Sequence, residues 1–592
     1  MAAPDHTRHR RGGAETRWSH SGDALASQRE EPAGHRPVPL GPAPSPHAPG
    51  GPVVATETTG TTPKIPGQQG PAAAVPTSGP PPAALKAGSL GLVAVLFMAV
   101  ANAAPITAVT ANVPIAIAWG NGLAAPAGFV VATVILTLFA VGFVSMARHI
   151  TTAGAFYGFI THGLGTVWGT ASGALATMAY VVFEASLVGV FSYFAHDALG
   201  QWFGWDVNWL VLAAACIAVT AVLGYFDISL AAAVLGVFLV AEVVLLVALA
   251  ASVVAHGGGP DGWQLGSLNP FAAFSGLPEG GGYGIQTGTP AALLPAGSGA
   301  IGLFFALWSW VGFETTAVYG EESKNPRRIV PRATLIAVVG LGAFYTLVSW
   351  LVIVGNGAQA SVDKAANDSI GLFTGLAEAN LGGRWVTDVY LFLIVSGSFA
   401  CALAFHNAAA RYLFAMGRDL PALRGSLGST HPKHGSPHTA SLVQTVVTAL
   451  LTVGFYVLTT DGSDVAKGAN QYQYALLALM GTMAILLVQA ICSFAVVWYF
   501  QVKKVHRGSV WTTGVVPALG GLGMLYVIYL LFSNISFAGG PGSVSPFFTA
   551  IPYVVGACFV LPALGAVWLR RARPETYASL GRTVLEESVE RS

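Results

Sequence analysis

About twelve apolar runs, each close to twenty residues long, dominate this 592-residue chain and limit what it can become. A helix rises ~1.5 Å per residue, so roughly 20 residues cross ~30 Å of hydrocarbon, where a backbone open to lipid would leave its N–H and C=O groups unpaired. The runs fall at 88–120, 128–149, 166–196, 208–224, 229–255, 297–320, 332–355, 386–416, 439–459, 473–500, 512–533 and 548–569. They predict an all-α membrane protein with about 12 transmembrane helices. With 53% hydrophobic and 9% charged residues and a mean hydropathy of +0.61, the chain is too apolar for an ordinary soluble globule.

Charge and cysteine usage narrow the classes further. The net charge of +1 contains no basic block able to neutralise a phosphate backbone, so nucleic acid is not an expected partner. Cys216, Cys401, Cys492 and Cys558 each lie in a separate apolar run with no paired spacing, which predicts small core thiols and no metal site or cofactor. Residues 1–86 are rich in Pro, Gly, Ala, Ser and Thr and hold no apolar segment long enough to bury, so a disordered tail is expected there. The first apolar run begins far beyond the reach of a signal-peptide core, and no cleavable signal is expected.

Lysine and arginine set the expected orientation. Arg148, the "KNPRR" cluster with Arg332, then Arg418, Arg424, Lys433, Lys503, Lys504, Arg507, Arg570, Arg571 and Arg573 fall in loops on one side. The alternate loops hold only Lys364, Arg384 and Lys467. The basic side reads as cytoplasm, which puts both termini inside the cell membrane and favours an even number of crossings. A C-terminal tail is expected over 571–592.

Two of the spans carry polar or helix-breaking residues at matching depth. In the first, "AVANAAPITAV" places Asn102, Pro105 and Thr107 mid-membrane; in the sixth, "LWSWVGFETTA" places Ser309, Gly312, Glu314, Thr315 and Thr316 there. A broken helix frees backbone groups, which hydrocarbon tolerates only where they face protein or a wet cavity. Half-helix N-termini attract a carboxylate, while exposed carbonyls and acids attract an ammonium group or a cation. An amino acid zwitterion presents both ends. Five crossings separate the two spans, an odd number, so the second unit enters the membrane from the opposite side: an inverted repeat, expected over about 88–255 and 297–500 within a domain of 87–570, with two extra helices at 512–569.

Three acids stand inside apolar runs: Glu184, Glu242 and Glu314. A carboxylate at the bilayer centre costs roughly 2.5–3.5 kcal/mol on insertion scales, so ion coupling or gating is the functional expectation for each. For Glu314 a buried structural carboxylate is the weaker alternative; for Glu242 the two readings are balanced.

The stretch "WSWVGFETTAVYGEESKNPRRIVPRAT" resembles the sixth-span signature of the amino acid–polyamine–organocation permeases. "SMARHITTAGAFYGFITHGLG" is similar to that family's loop after span 2, and "NAAARYLFAMGRDLPALRGSLGSTHPKHGSPHTA" to the end of span 8 with its loop. The resemblance covers about residues 88–570. It implies a LeuT-like fold of two five-helix inverted repeats and a secondary carrier for amino acids or amines such as polyamines, coupled to H+ or Na+ or working by exchange. It implies that Ala103, Ala104, Pro105, Ile106 and Thr107 bind the substrate carboxylate through backbone N–H groups. Ser309, Trp310, Val311 and Gly312 would take the ammonium end, with Trp308 as an aromatic wall or gate. Two departures stand out: "AAPIT" replaces the Gly-rich run of many relatives in span 1, and Glu242 stands where many have a lysine. Side-chain specificity is expected to come from spans 1, 3, 6, 8 and 10. Glu321, Glu322, Lys324, Arg327 and Arg328 read as a loop network steadying the gate, and His406 and Asn407 as helix-to-helix hydrogen-bonding residues. The competing reading is a transporter-like amino acid sensor signalling through the tail. An enzyme is not expected, since no phosphate-cradling loop or nucleophile elbow is present.

Overall fold

The computed structural model describes residues 85–226, 228–275, 298–459, 464–506, 508–535, 543 and 545–583, with side chains of 228–235 outside that set. The expected tail over 1–86 falls outside the described residues up to residue 84, as do the last nine residues, Arg507 and much of the 256–296 connection. Among the described residues the elements are helical, and eleven helices are long and apolar enough to cross a membrane. A twelfth, Trp209–Tyr225, is apolar but shorter.

The first span breaks as its residues predict. Helix α1 (Leu92–Ala103) ends at Ala104, whose φ of 43° and ψ of 73° lie in the left-handed region, and α2 (Pro105–Ile115) starts with proline at its first position. Proline suits that place because its missing N–H would have had no helical partner. Beyond Pro114 the turn widens into a π-helix over Ala116–Gly120. Spans 2 to 5 are α3 (Ala125–Ala147), α5 (Thr166–Phe203), α6 (Trp209–Tyr225) and α7 (Ile228–Ala255). The stretch expected as a loop after span 2 contains a helix of its own, α4 (Ala155–Leu164), because Phe156, Tyr157, Phe159 and Ile160 give it an apolar face that is buried.

The sixth span breaks differently. Helix α8 (Gly299–Trp308) gives way at Ser309, turns at Gly312 with φ of 112°, and continues as a 3-10 turn over Phe313–Ala317 in place of a second α-helical half. Then come α9 (Pro326–Asn356), two short helices α10 (Ala358–Asn367) and α11 (Gly371–Leu381), and α12 (Arg384–Asp419) as span 8. Span 9 is α13 (His438–Leu458). Span 10 opens as a π-helix at Ala466–Tyr474 and continues as α14 (Ala475–Val497). Spans 11 and 12 are α15 (Val516–Ser533) and α16 (Pro546–Ala572), followed by a short α17 (Pro574–Ser579).

The two broken spans lie side by side and antiparallel. At one end Leu90 N–H donates to Glu322 O (2.9 Å) and Lys324 N–H to Leu90 O (2.9 Å); at the other, Ser298 N–H donates to Trp119 O (3.1 Å). The long helix α5 packs against α12 and α14 behind them. Apolar side chains such as Leu450, Leu458, Tyr529, Leu561 and Trp568 stand exposed on α13, α15 and α16, a distribution that suits lipid as solvent.

Candidate functional site

Breaking a helix in hydrocarbon releases backbone groups that must find partners. Here side chains from other spans and from span 6 itself supply several of those partners. Asn102 O accepts from Cys401 Sγ (3.2 Å) and Ala103 O from Tyr345 Oη (2.8 Å). Ile106 N–H, at the start of α2, donates to Glu242 Oε2 (3.4 Å). In span 6, Gly312 N–H donates to Glu314 Oε2 (3.1 Å), and Tyr180 Oη donates to Glu314 Oε1 (2.8 Å). The breaks also hold each other: Asn102 Nδ2 donates to Thr315 Oγ1 (2.9 Å), whose hydroxyl donates to Gly312 O (2.6 Å). Gly312 must be glycine twice over, by its positive φ and because a Cβ there would collide with Asn102.

A cavity of about 30 Å³ sits between the breaks. That is room for roughly two waters. Asn102, Ala103, Ala104 and Thr107 line it from span 1, and Trp308, Ser309 and Val311 from span 6. Spans 3, 8 and 10 complete it, which are the remaining spans named from the resemblance. Thr107 Oγ1 is buried, 2% exposed, and has no hydrogen-bond partner. Ser309 Oγ accepts from Asn112 Nδ2 (3.0 Å), and the Trp308 ring lies 5.6 Å from that of Tyr474. No Asp, Glu, Lys, Arg or His is among the lining residues.

Of the residues singled out in the sequence, Ala103, Ala104, Thr107, Trp308, Ser309 and Val311 reach the cavity. Pro105, Ile106, Trp310 and Gly312 do not line it. Trp310 turns away, donating Nε1–H to Val338 O (3.0 Å) and packing edge-on against Tyr345. The three acids stand outside the lining as well, each fully buried. Glu242 meets α2, Glu314 meets the span 6 break, and Glu184 meets His406. Phe183, Leu187, Phe405, Tyr474 and Ala478 were not legible as lining. They are ordinary apolar residues of spans 3, 8 and 10, and only the packing turns them inward.

On the basic face the structure corrects one expectation. Glu321 and Glu322 take their partners from α12 and not from their own loop: Arg411 grips Glu322 with Nε (2.6 Å) and Nη2 (2.9 Å), and Arg418 grips Glu321 with Nη2 (2.9 Å) and Nη1 (3.1 Å). Lys324 is exposed. Both pairs are bidentate and buried, the geometry in which arginine pairs are strongest. Behind them Asp419 accepts from Gly581 N–H (2.7 Å) and Thr583 Oγ1 (2.6 Å), so the segment after α16 docks back onto the C-terminal end of span 8. Burial and the neighbouring Asp419 push the Tyr157 hydroxyl well above its ordinary pKa.

Among the described residues, eleven long apolar helices and a shorter twelfth, with two spans broken and antiparallel beside a small pocket free of ionised side chains, define a multi-span helical membrane protein with interrupted helices at its site. The family profile described as amino acid permease matches residues 90–559, and the chain belongs to that family, within the amino acid–polyamine–organocation superfamily. An uncharacterised transporter of Legionella pneumophila is 28% identical over 241 residues, 39% of this chain and 47% of its own length. A branched-chain amino acid permease of Bacillus subtilis is 25% identical over 244 residues, 40% of this chain and 47% of its own. An uncharacterised transporter of Mycobacterium tuberculosis is 32% identical over 154 residues, 26% of this chain and 32% of its own. The chain spans less than half the length of each of these relatives.

Proposed function

We propose that this protein is a secondary carrier that moves neutral amino acids across the plasma membrane by alternating access. The observation that supports it most is the pocket: the uncharged hydroxyl and amide groups of Thr107, Ser309, Asn102 and Asn112 lie between two broken spans, with no ionised side chain in the lining. A zwitterion has no net charge, and its two ends suit the dipoles of broken helices. A polyamine or a cationic amino acid would bring an unbalanced charge into a site with no carboxylate to meet it. The backbone around Ala103–Thr107 serves the carboxylate, Ser309–Gly312 the ammonium group, and Trp308 with Tyr474 forms the aromatic wall. Glu314 and Glu242 are the acids through which an ion, H+ or Na+, couples to the breaks.

In this reading the inverted repeats span about 88–255 and 297–500, the basic face is cytoplasmic, and the paired Glu321–Arg418 and Glu322–Arg411 bridges close the inner gate. Purified protein in liposomes should take up labelled L-leucine or L-alanine saturably, with competition by neutral amino acids and none by putrescine or L-arginine. Uptake of putrescine in preference to every neutral amino acid would overturn the substrate assignment.

A further inference from the structure

Behind the pocket wall lies a second polar cluster that the carrier reading does not use. Glu184 of α5 and His406 of α12 are 1% and 0% exposed and lie at mid-length of their spans. Glu184 Oε1 and His406 Nδ1 are 3.0 Å apart, and His406 Nε2 is 2.7 Å from Ser441 Oγ of α13. Gln444 Nε2, also of α13, donates to Glu184 Oε2. Both carboxylate oxygens and both ring nitrogens of the pair are therefore hydrogen-bonded. No lysine or arginine bonds to the pair among the described residues.

We propose that Glu184 and His406 form a proton-binding site, separate from the solute pocket, that carries one exchangeable proton between them. With a neutral imidazole whose Nδ1–H donates to an ionised Glu184, the cluster carries one net negative charge in hydrocarbon with no cation beside it, a costly arrangement. One added proton makes it neutral, either as imidazolium against carboxylate or as a protonated Glu184. The surroundings can serve both states. Ser441 can donate to Nε2 or accept from it. Gln444 Oε1 is buried without a partner, and turning that amide would let it accept from a protonated carboxyl group. The groups facing the pair from neighbouring elements are few. Cys216 of α6 lies close enough to feel the Glu184 charge, α13 offers Ser441, Gln444 and Thr448, Tyr180 one turn along α5 is engaged with Glu314, and Arg411 on α12 is held by Glu322.

The site is placed to report to the pocket. Phe183 and Phe405, each adjacent in sequence to one member of the pair, line the cavity, and their rings lie 5.0 Å apart. Gain or loss of the proton changes the pull between α5 and α12 and with it the spacing of that aromatic wall. This inference rests on the carrier reading for its coupling to transport but not for proton binding itself.

The test uses the full chain in nanodiscs and in liposomes with an internal pH dye. Infrared difference spectra across a pH titration should show a protonated-carboxyl or imidazolium band that disappears in Glu184→Gln and is shifted or lost in His406→Gln. The pH profile of L-leucine uptake should change in both variants. As a variant that keeps every titrating group, Gly224→Ala presses a Cβ to 2.5 Å from His406 Nε2 and should shift the same band. If Glu184→Gln loses neither a protonated-carboxyl nor an imidazolium band, or keeps the wild-type pH profile of uptake, the pair is a structural tie between spans and the proposal fails. If wild-type protein moves no amino acid while the Glu184 band still titrates, the carrier reading fails and the proton site stands.

Discussion

Ala104 shows at the scale of one residue what this chain does differently. A side chain in the left-handed region costs roughly 1–2 kcal/mol relative to the right-handed one, and the turn that breaks span 1 forces it there. Ala104→Gly should therefore be tolerated or should raise stability by up to about 1 kcal/mol, read as a higher unfolding temperature in detergent. Gly312→Ala should do the reverse, since it adds strain at φ 112° and a clash with Asn102; well-folded Gly312→Ala protein at wild-type yield would contradict the account. Glu314 holds the second break through Gly312 N–H and Tyr180. Glu314→Gln keeps an acceptor for the N–H and can donate to Tyr180, so the fold should survive while uptake falls on the order of tenfold, equivalent to ~1.4 kcal/mol. Uptake at the wild-type rate would leave Glu314 a structural cap alone.

Pairs of elements carry the next level of the argument. Spans 6 and 8 meet at the basic face through Glu321–Arg418 and Glu322–Arg411, both buried. Removing one partner of such a pair leaves an uncompensated charge and costs about 3–5 kcal/mol. Arg411→Ala should accordingly lower thermal stability sharply, and Arg411→Ala combined with Glu322→Ala should recover much of the loss. A double variant as unstable as the single one would show that the pairing is not what matters. Arg418→Lys should not substitute for arginine, because an ammonium group cannot reproduce the two-pronged contact to Glu321.

For the whole molecule, orientation is the property that connects fold to function. Single cysteines at Lys324 and Lys364, in a chain whose four native cysteines are replaced, should label from opposite sides of sealed cells: Lys364→Cys from outside, Lys324→Cys only after permeabilisation. Labelling of both from outside would invalidate the assignment of the basic loops to the cytoplasm. The twelve spans and the breaks near Pro105 and Gly312 were legible in the sequence because each depends on a local property: length of apolar run, a proline at a helix start, a glycine at a positive φ. The partners of Glu321 and Glu322 were not. They lie 97 and 89 residues away on α12, and nothing near the acids in sequence signals those arginines.

Hydropathy, proline and glycine placement and the charge bias of the loops were enough to specify a twelve-span helical membrane protein with two interrupted crossings, since each follows from how a segment meets lipid or water. Which groups close the breaks, which aromatic residues wall the pocket, and that Glu184 faces His406 were settled only in three dimensions. Those contacts join spans hundreds of residues apart, and their energies depend on burial and on distances of a few ångströms that no local pattern encodes.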